Sequence, residues 1–400
     1  MKKLPFPFIF AAVLLVTLFG AFLIWGIPYF FAPLEVSDGN VATFGAQTVR
    51  ARVTEIIEEG LITLGDVEQP YQLMRVELLE GEYAGIAMEV DFGRRQVRPG
   101  GMHFVPGDEI FVSLGKGPDG LLEAFYVDFV REQALWALAG VFALSILVMG
   151  RWKGLRSLLA LVFSLGMIVG YVIPHILAGE DPVAVSLIGS GILLGVSLYL
   201  TYGWTLKTHA SVLSMVLVLA ITGTLAALFV SLARLNGYGS EDALFLMQMG
   251  QFEINLRGLL LGGMIIGALG VLDDLVTTQA SAVFELHHTD ESLGFRALFE
   301  KAMRIGQDHV AATVNTLVLA YAGASLPTLL MFTLGRGNYG FLLNAEMIAE
   351  EIVRTLVGSL GLMAAVPLTT AIAILLALYA HRLPPDWRAL LGPEGEGHVH

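Results

Sequence analysis

Residues 258–283 read GLLLGGMIIGALGVLDDLVTTQASAV. An apolar run from Gly258 to Leu272 leads into two adjacent acids, Asp273 and Asp274, and then returns to Leu275 and Val276. A helix needs about 20 apolar residues to cross a hydrocarbon layer of about 30 Å, and this stretch has that length. A charged side chain at membrane depth costs at least about 2.5–3.5 kcal/mol on insertion scales. Two adjacent carboxylates cost more unless they face protein, water or a cation. The stretch therefore predicts a membrane-spanning helix and demands a reason for its acids.

The rest of the chain agrees with a membrane class. Of 400 residues, 55% are hydrophobic and only 15% charged, against roughly a quarter charged in soluble domains. Mean hydropathy is +0.70. With no cysteine, disulfides, thiol catalysis and thiolate metal sites are excluded. A net charge of -13 argues against nucleic acid as a partner, because phosphate binding needs Lys/Arg stripes. No phosphate-binding Gly-Lys-Ser/Thr loop and no nucleophile elbow occurs, and no cofactor is expected.

Apolar runs of spanning length number about eight: 8–27, 134–150, 155–178, 183–203, 210–232, 256–276, 309–332 and 355–380. The first follows Lys2 and Lys3 but ends in Trp25, Pro28 and Tyr29, with no small-residue cleavage site, so residues 1–28 read as an uncleaved anchor. Loop charges alternate. Lys2, Lys3, Arg151, Lys153, Arg156, Lys207, Arg296, Lys301, Arg304, Arg382 and Arg388 fall on one side; Glu180, Asp181, Glu241, Asp242, Glu346, Glu350 and Glu351 fall on the other, with Arg234, Arg336 and Arg354 as its few cations. The positive-inside rule then places both termini in the cytoplasm. On this reading 132–383 is a seven-helix membrane domain and 384–400 a disordered cytoplasmic tail.

Residues 29–131 lie outside the membrane. Within them, Val49–Thr54, Leu73–Leu78, Ala87–Phe92, Ile110–Leu114 and Leu122–Val127 alternate with period two, separated by Gly/Pro/Asp clusters. About five short strands suggest a small closed barrel, OB-like or SH3-like. His103 stands alone there and reads as a surface or packing residue.

The membrane part repeats. Residues 209–223 and 309–323 share His209/His309, Leu217/Leu317, Val218/Val318, Leu219/Leu319, Ala220/Ala320 and Gly223/Gly323. This predicts parallel helical-hairpin repeats over about 207–283 and 307–380, with 155–203 as a candidate third copy. In that register Thr201, Asp273 and Thr369 are equivalent, and Thr370 matches Asp274.

Past the acids, Asp274, Thr278, Ser281, Glu285 and His288 fall on one face of a helix. Arg257 to His288 would measure about 48 Å as a helix, more than a bilayer. Two readings stay open: a hydrophilic track from mid-membrane to the cytoplasm, or a solvated helix face that begins at the inner interface. Asn315 and Thr316 fit an interhelical hydrogen bond worth about 0.6 kcal/mol. Pro174, Pro327 and Pro367 read as kinks, and Gly258, Gly262, Gly263, Gly267 and Gly270 as close-packing positions. Residues 294–308 form a basic amphipathic stretch expected on the inner surface.

Taken together, Gly263–Gly270 leading into the Asp pair, Thr316–Gly323 followed by Leu326-Pro327, Asn344–Glu346, and Gly358–Gly361 before Pro367–Thr369 resemble the YibE/F-like family of bacterial multi-pass membrane proteins. The likeness covers about 150–380 and extends to Gly81–Gly85 and Gly107-Asp108 in the β segment. The family pattern has one Asp where this chain has two. The resemblance implies an inner-membrane protein of permease type and supplies no substrate.

The fold expected is thus an α-helical polytopic membrane protein with an extracytoplasmic β-barrel. The expected function is secondary transport or channel conduction of a small solute or cation. Asp273, Asp274, Thr277, Thr278, Ser281, Glu285, Asn315, Thr201, Thr369 and Thr370 are the candidate transport or ion-binding residues. The alternative is a non-transporting scaffold or accessory subunit whose β domain docks a periplasmic protein, or a homo-oligomer. An intramembrane enzyme ranks last: adjacent aspartates on one helix point about 100° apart and cannot share a proton as a dyad.

Overall fold

A computed structural model describes residues 48–64, 66–94, 101–116, 122–248, 254–334 and 339–380, with Pro384 and Leu391. The expected anchor at 1–28 lies outside the described residues, as does the tail 384–400 apart from those two positions. The chain divides into two compact units between Leu144 and Ser145.

The first unit is a five-stranded barrel: β1 (Thr48–Leu64), β2 (Val67–Leu78), β3 (Ala87–Phe92), β4 (Glu109–Lys116) and β5 (Leu122–Phe129). It closes in the order β1-β2-β3-β5-β4, with β1 also pairing β4. All pairings are antiparallel except β3 with β5, which meet in parallel at Val90 and Ala124. Of the two small barrels expected, this Greek-key closure fits the OB-like one. Side chains alternate inward along each strand. Ala51, Val53, Met74, Val76, Val90, Phe92, Ile110, Val112, Ala124 and Tyr126 thereby fill the interior. Phe92, Phe104 and Tyr126 meet edge to face at 4.9–5.2 Å. The buried Gln72 amide accepts from Phe104 N–H at 2.8 Å and donates to Phe104 C=O at 3.2 Å, which fixes the segment that delivers Phe104.

The second unit is helical. Its elements are α1 (Glu132–Met167, which begins before the division), a π-helical turn (Ile168–Val172), α2 (Ile173–Leu177), α3 (Pro182–Tyr202), α4 (Leu206–Leu232), α5 (Glu241–Gln248), α6 (Leu256–Thr289), α7 (Phe295–Ala324), α8 (Leu326–Leu334), α9 (Tyr339–Asn344) and α10 (Glu346–Tyr379). Three of the long helices start on side-chain caps: Asp181 accepts from Ala184 N–H, Thr205 from Thr208 N–H, and Asn255 from Gly258 N–H. The π turn sits just ahead of Pro174, whose ring excludes the ordinary i−4 carbonyl contact. α6 and α10 form the centre: α6 packs on α3, α4, α7 and α10, and α10 on α4, α6 and α7.

Among the described residues, five helical stretches are long and apolar enough to cross a bilayer: Glu132–Leu177, Pro182–Tyr202, Leu206–Leu232, Leu256–Thr289 and Glu346–Tyr379. The runs 134–150 and 155–178 are, as expected, two helical runs, separated within the first stretch by a kink at Arg151, whose φ of 48° is left-handed. A Cβ on Gly154 would lie 2.3 Å from Ile146 C=O, so the chain folds back sharply there. The run 309–332 is not one helix: it is divided at Ser325 between α7 and α8 and is not among the five stretches above. Its first part continues helix α7 from the basic stretch that was expected to lie apart, carries Asn315 and Thr316 in its middle, and ends at Ser325 ahead of Pro327.

Candidate functional site

Glycine packing positions α6. A Cβ on Gly258 would lie 3.2 Å from Pro182 Cδ, and one on Gly262 only 2.3 Å from Ser186 Oγ. The first turns of α3 and α6 therefore touch with nothing between them, as small-xxx-small contacts permit. Gly263, Gly267 and Gly270 face open space instead. The two helices run in the same direction, so twenty residues later the end of α3 reaches the acids. There Tyr202 lies beside Thr277, in the field of Asp273 and Asp274.

A second junction fixes α7 and α10. The buried Gln279 side chain donates to Ala302 C=O at 3.0 Å and to Thr370 Oγ1 at 2.7 Å, joining three helices. Next to it, Gly306 leaves no room: a Cβ there would lie 2.3 Å from Val366 Cγ1. This close approach delivers His309 to the acids. Its Nε2 is 3.8 Å from Asp274 Oδ2, and its Nδ1 is 3.3 Å from Thr278 Oγ1. The Thr278 hydroxyl has one proton and gives it to Asp274 C=O at 2.7 Å. It can then only accept from Nδ1–H. Nε2 is left turned toward the carboxylate, where an added proton would make an ion pair.

The candidates thus fall into groups. Asp274, Thr278 and His309 meet; Asp273 is half-buried beside Thr277 and Tyr202. Helix α6 runs unbroken through the whole stripe, with Ser281 half-buried and Glu285 exposed. Asp274 is 74% exposed, so it points out of the packed core of this chain. Thr369 and Thr370 are fully buried, and the Thr369 hydroxyl has no hydrogen-bond partner. Thr201 is half-buried at the end of α3, and Asn315 is exposed on α7. No hydrogen bond among the described residues links Thr201, Asp273 and Thr369. Just past α6, Asp290 is held below the ordinary carboxylate range by the Ser292 hydroxyl, then by its N–H. Among the described residues, no cluster of three or more His, Asp or Glu is placed to hold a metal ion.

His309, Tyr202 and Gln279 complete this site and were not singled out for it by sequence. His309 appeared there only as the counterpart of His209. The available hint was that its helix carries polar residues, His309, Thr313 and Thr316, at helical spacing.

Long apolar helices with ionisable groups gathered between them define a membrane protein. The family model described as YibE/F-like protein matches residues 138–378, more than half of the chain. The chain belongs to the YibE/F-like family. No curated protein and no solved structure matches it.

Proposed function

We propose that the protein is a secondary transporter or channel of the bacterial inner membrane, with both termini cytoplasmic, in which Asp273 and Asp274 form the cation or proton site. One observation carries this reading: Asp274 on α6 and His309 on α7 meet beside Asp273, within helices long enough to span the membrane. Such groups are costly in lipid and mark ion pathways and proton relays. Thr278, Ser281 and Glu285 continue the polar face toward the end of α6. The hairpin repeat is part of the proposal. Its support is that α6 and α10, both 34 residues long, each follow a long helix and short helical connectors. The reading is non-enzymatic.

The test is flux of protons and monovalent cations in proteoliposomes. Asp273→Asn with Asp274→Asn abolishes flux while the protein stays folded. Wild-type flux in the double variant ends the proposal.

The accessory-subunit reading has one observation in its favour. The β1–β2 hairpin carries exposed Ile57 and Leu61, the latter 67% exposed. A stoichiometric partner crosslinked to this hairpin in cells, together with no flux, would favour it.

A further inference from the structure

A histidine is locked where α3 stops and α4 starts. His209 Nδ1 lies 2.7 Å from the Tyr199 hydroxyl, and its Nε2 lies 3.1 Å from Leu391 C=O. A carbonyl only accepts, so Nε2–H donates to Leu391 and Nδ1 accepts from the Tyr199 O–H. One neutral tautomer satisfies both contacts. Ring packing holds the imidazole as well. Trp204 stacks on Tyr199 at 4.6 Å and meets His209 edge-on at 4.9 Å. Arg156 Nε donates to Leu200 C=O at 2.7 Å, which fixes the end of α3 that carries Tyr199.

What His209 holds is the C-terminal part of the chain. Leu391 is half-buried and packs against an apolar cluster that includes Leu206 and Ala210 of α4, Ala280 and Phe284 of α6, and Ile374 and Ala377 of α10. The backbone of Leu391 is thus tied to α4 while its side chain rests on a junction of three helices. The same junction lies in line with Asp273. Asp273, Thr277, Ala280 and Phe284 are spaced i, i+4, i+7 and i+11, one face of α6. Thr277, Ala280 and Phe284 are buried, whereas Asp274 on the adjoining face is 74% exposed. From Asp273 to this end of the bundle the packing is closed, and an ion can pass along that face only if α4, α6 and α10 part.

We propose that Leu391 and the chain end that carries it form an autoinhibitory clasp, which keeps the ends of α4, α6 and α10 together beyond Asp273. The apolar side chain fills the junction, and the bond from His209 fixes where it sits. The inhibitory role rests on the transport reading; the closure itself does not.

The chain contains no cysteine, so Thr277→Cys in the full-length protein in detergent reports the closure through its rate of reaction with a small charged thiol reagent. Adding Leu391→Asp, which sets a charge against the apolar junction, speeds that reaction at least about fivefold, the low end for coupled sites. Adding His209→Phe, which keeps a ring and loses the bond to Leu391, speeds it about two- to tenfold, the worth of one hydrogen bond. Adding Leu391→Met keeps the slow rate, because the swap conserves volume. Ser281→Cys, half-buried on a neighbouring face of α6, is the reference and reacts at one rate in every background. An unchanged rate at Thr277→Cys when Leu391→Asp is added overturns the inference. A rise at both Thr277→Cys and Ser281→Cys also overturns it, because that is general loosening. In proteoliposomes Leu391→Asp raises flux; faster labelling with unchanged flux overturns the inhibitory role. Labelling requires no transport, so wild-type flux in the variant combining Asp273→Asn and Asp274→Asn ends the transport proposal and leaves the labelling result standing.

Discussion

Replacing Gly306 by alanine tests the packing that brings His309 to Asp274. The new methyl group would start 2.3 Å from Val366 Cγ1 and 2.7 Å from Gln279 Oε1, against an ordinary carbon–carbon contact of about 3.5–4.0 Å. Val366 is 2% exposed and, being β-branched in a helix, has almost one rotamer. It cannot turn aside, so α7 must move away from α10 by about 1 Å or more. Overpacking of this kind costs about 1–3 kcal/mol. Alanine in place of glycine returns about 1 kcal/mol of helix propensity, so the overpacking wins or cancels. Gly263→Ala is the matched control: its Cβ meets nothing within 4 Å, so it receives only the propensity gain. The two identical substitutions should therefore differ by about 1–3 kcal/mol. In a unit of this size that is a gap in Tm of about 2–12 °C, read in detergent at one scan rate. Gly306→Ala should melt lower and lose flux; Gly263→Ala should melt at or above wild type. Equal Tm changes in the two variants would refute the argument that α7 is seated by the missing side chain at Gly306.

Other tests follow from single contacts. Gln279→Leu removes two interhelical hydrogen bonds; at about 0.6 kcal/mol each in membrane bundles, the loss is about 1 kcal/mol, seen as a Tm lowered by about 2–4 °C. Glu346 accepts from the N–H groups of Asn236, Gly237 and Tyr238 at 2.5–3.4 Å. Glu346→Ala should speed amide exchange there at least about tenfold, since hydrogen bonds to charged groups are worth about 1.5–3 kcal/mol. In the barrel, the Arg131 side chain and then Phe129 N–H hold the Asp128 carboxyl below its ordinary value. A depressed folded-state pKa gives stability that is present above the unfolded value of about 3.9 and fades as pH falls through the folded one. Asp128→Asn should remove that part of the acid sensitivity in melting curves of the full chain. The group is exposed, so the change is small.

Sequence patterns disclosed elements better than neighbours. The barrel strands were legible because inward residues such as Met74, Val76, Val90 and Phe92 recur with period two. The closure was not, because pairing β1 with β4 and β3 with β5 is non-local. The face shared by Asp274, Thr278, Ser281 and Glu285 was readable from spacing, and α6 is continuous through it. His309 lies on another helix, and nothing in the spacing along α6 points to it. The glycines of α6 show the same limit. Gly258 and Gly262 contact α3 while Gly263, Gly267 and Gly270 do not, although one motif contains them all. Which face packs is decided by the neighbouring helices. The kink at Arg151 and the division of the run 309–332 between α7 and α8 have a similar origin. Hydropathy marks apolar length, whereas a left-handed Arg151 or a continuation from 294–308 is a property of the folded backbone.

The central claim is that the acid-bearing face of α6 meets water at membrane depth and does not meet lipid. The chain contains no cysteine, so single cysteines can report this directly. Cysteine would be placed at Gly270, Thr278 and Ser281, with Leu319 as an exposed apolar reference on α7. Sealed membranes would then be treated with a small charged, membrane-impermeant thiol reagent. The account predicts reaction at Ser281, Thr278 and Gly270, with Leu319 protected. If Thr278 and Gly270 are as unreactive as Leu319, the carboxylates face lipid and the account is contradicted. If Ser281 and Thr278 react and Gly270 does not, the stripe is the solvated end of a helix and no conduit is present.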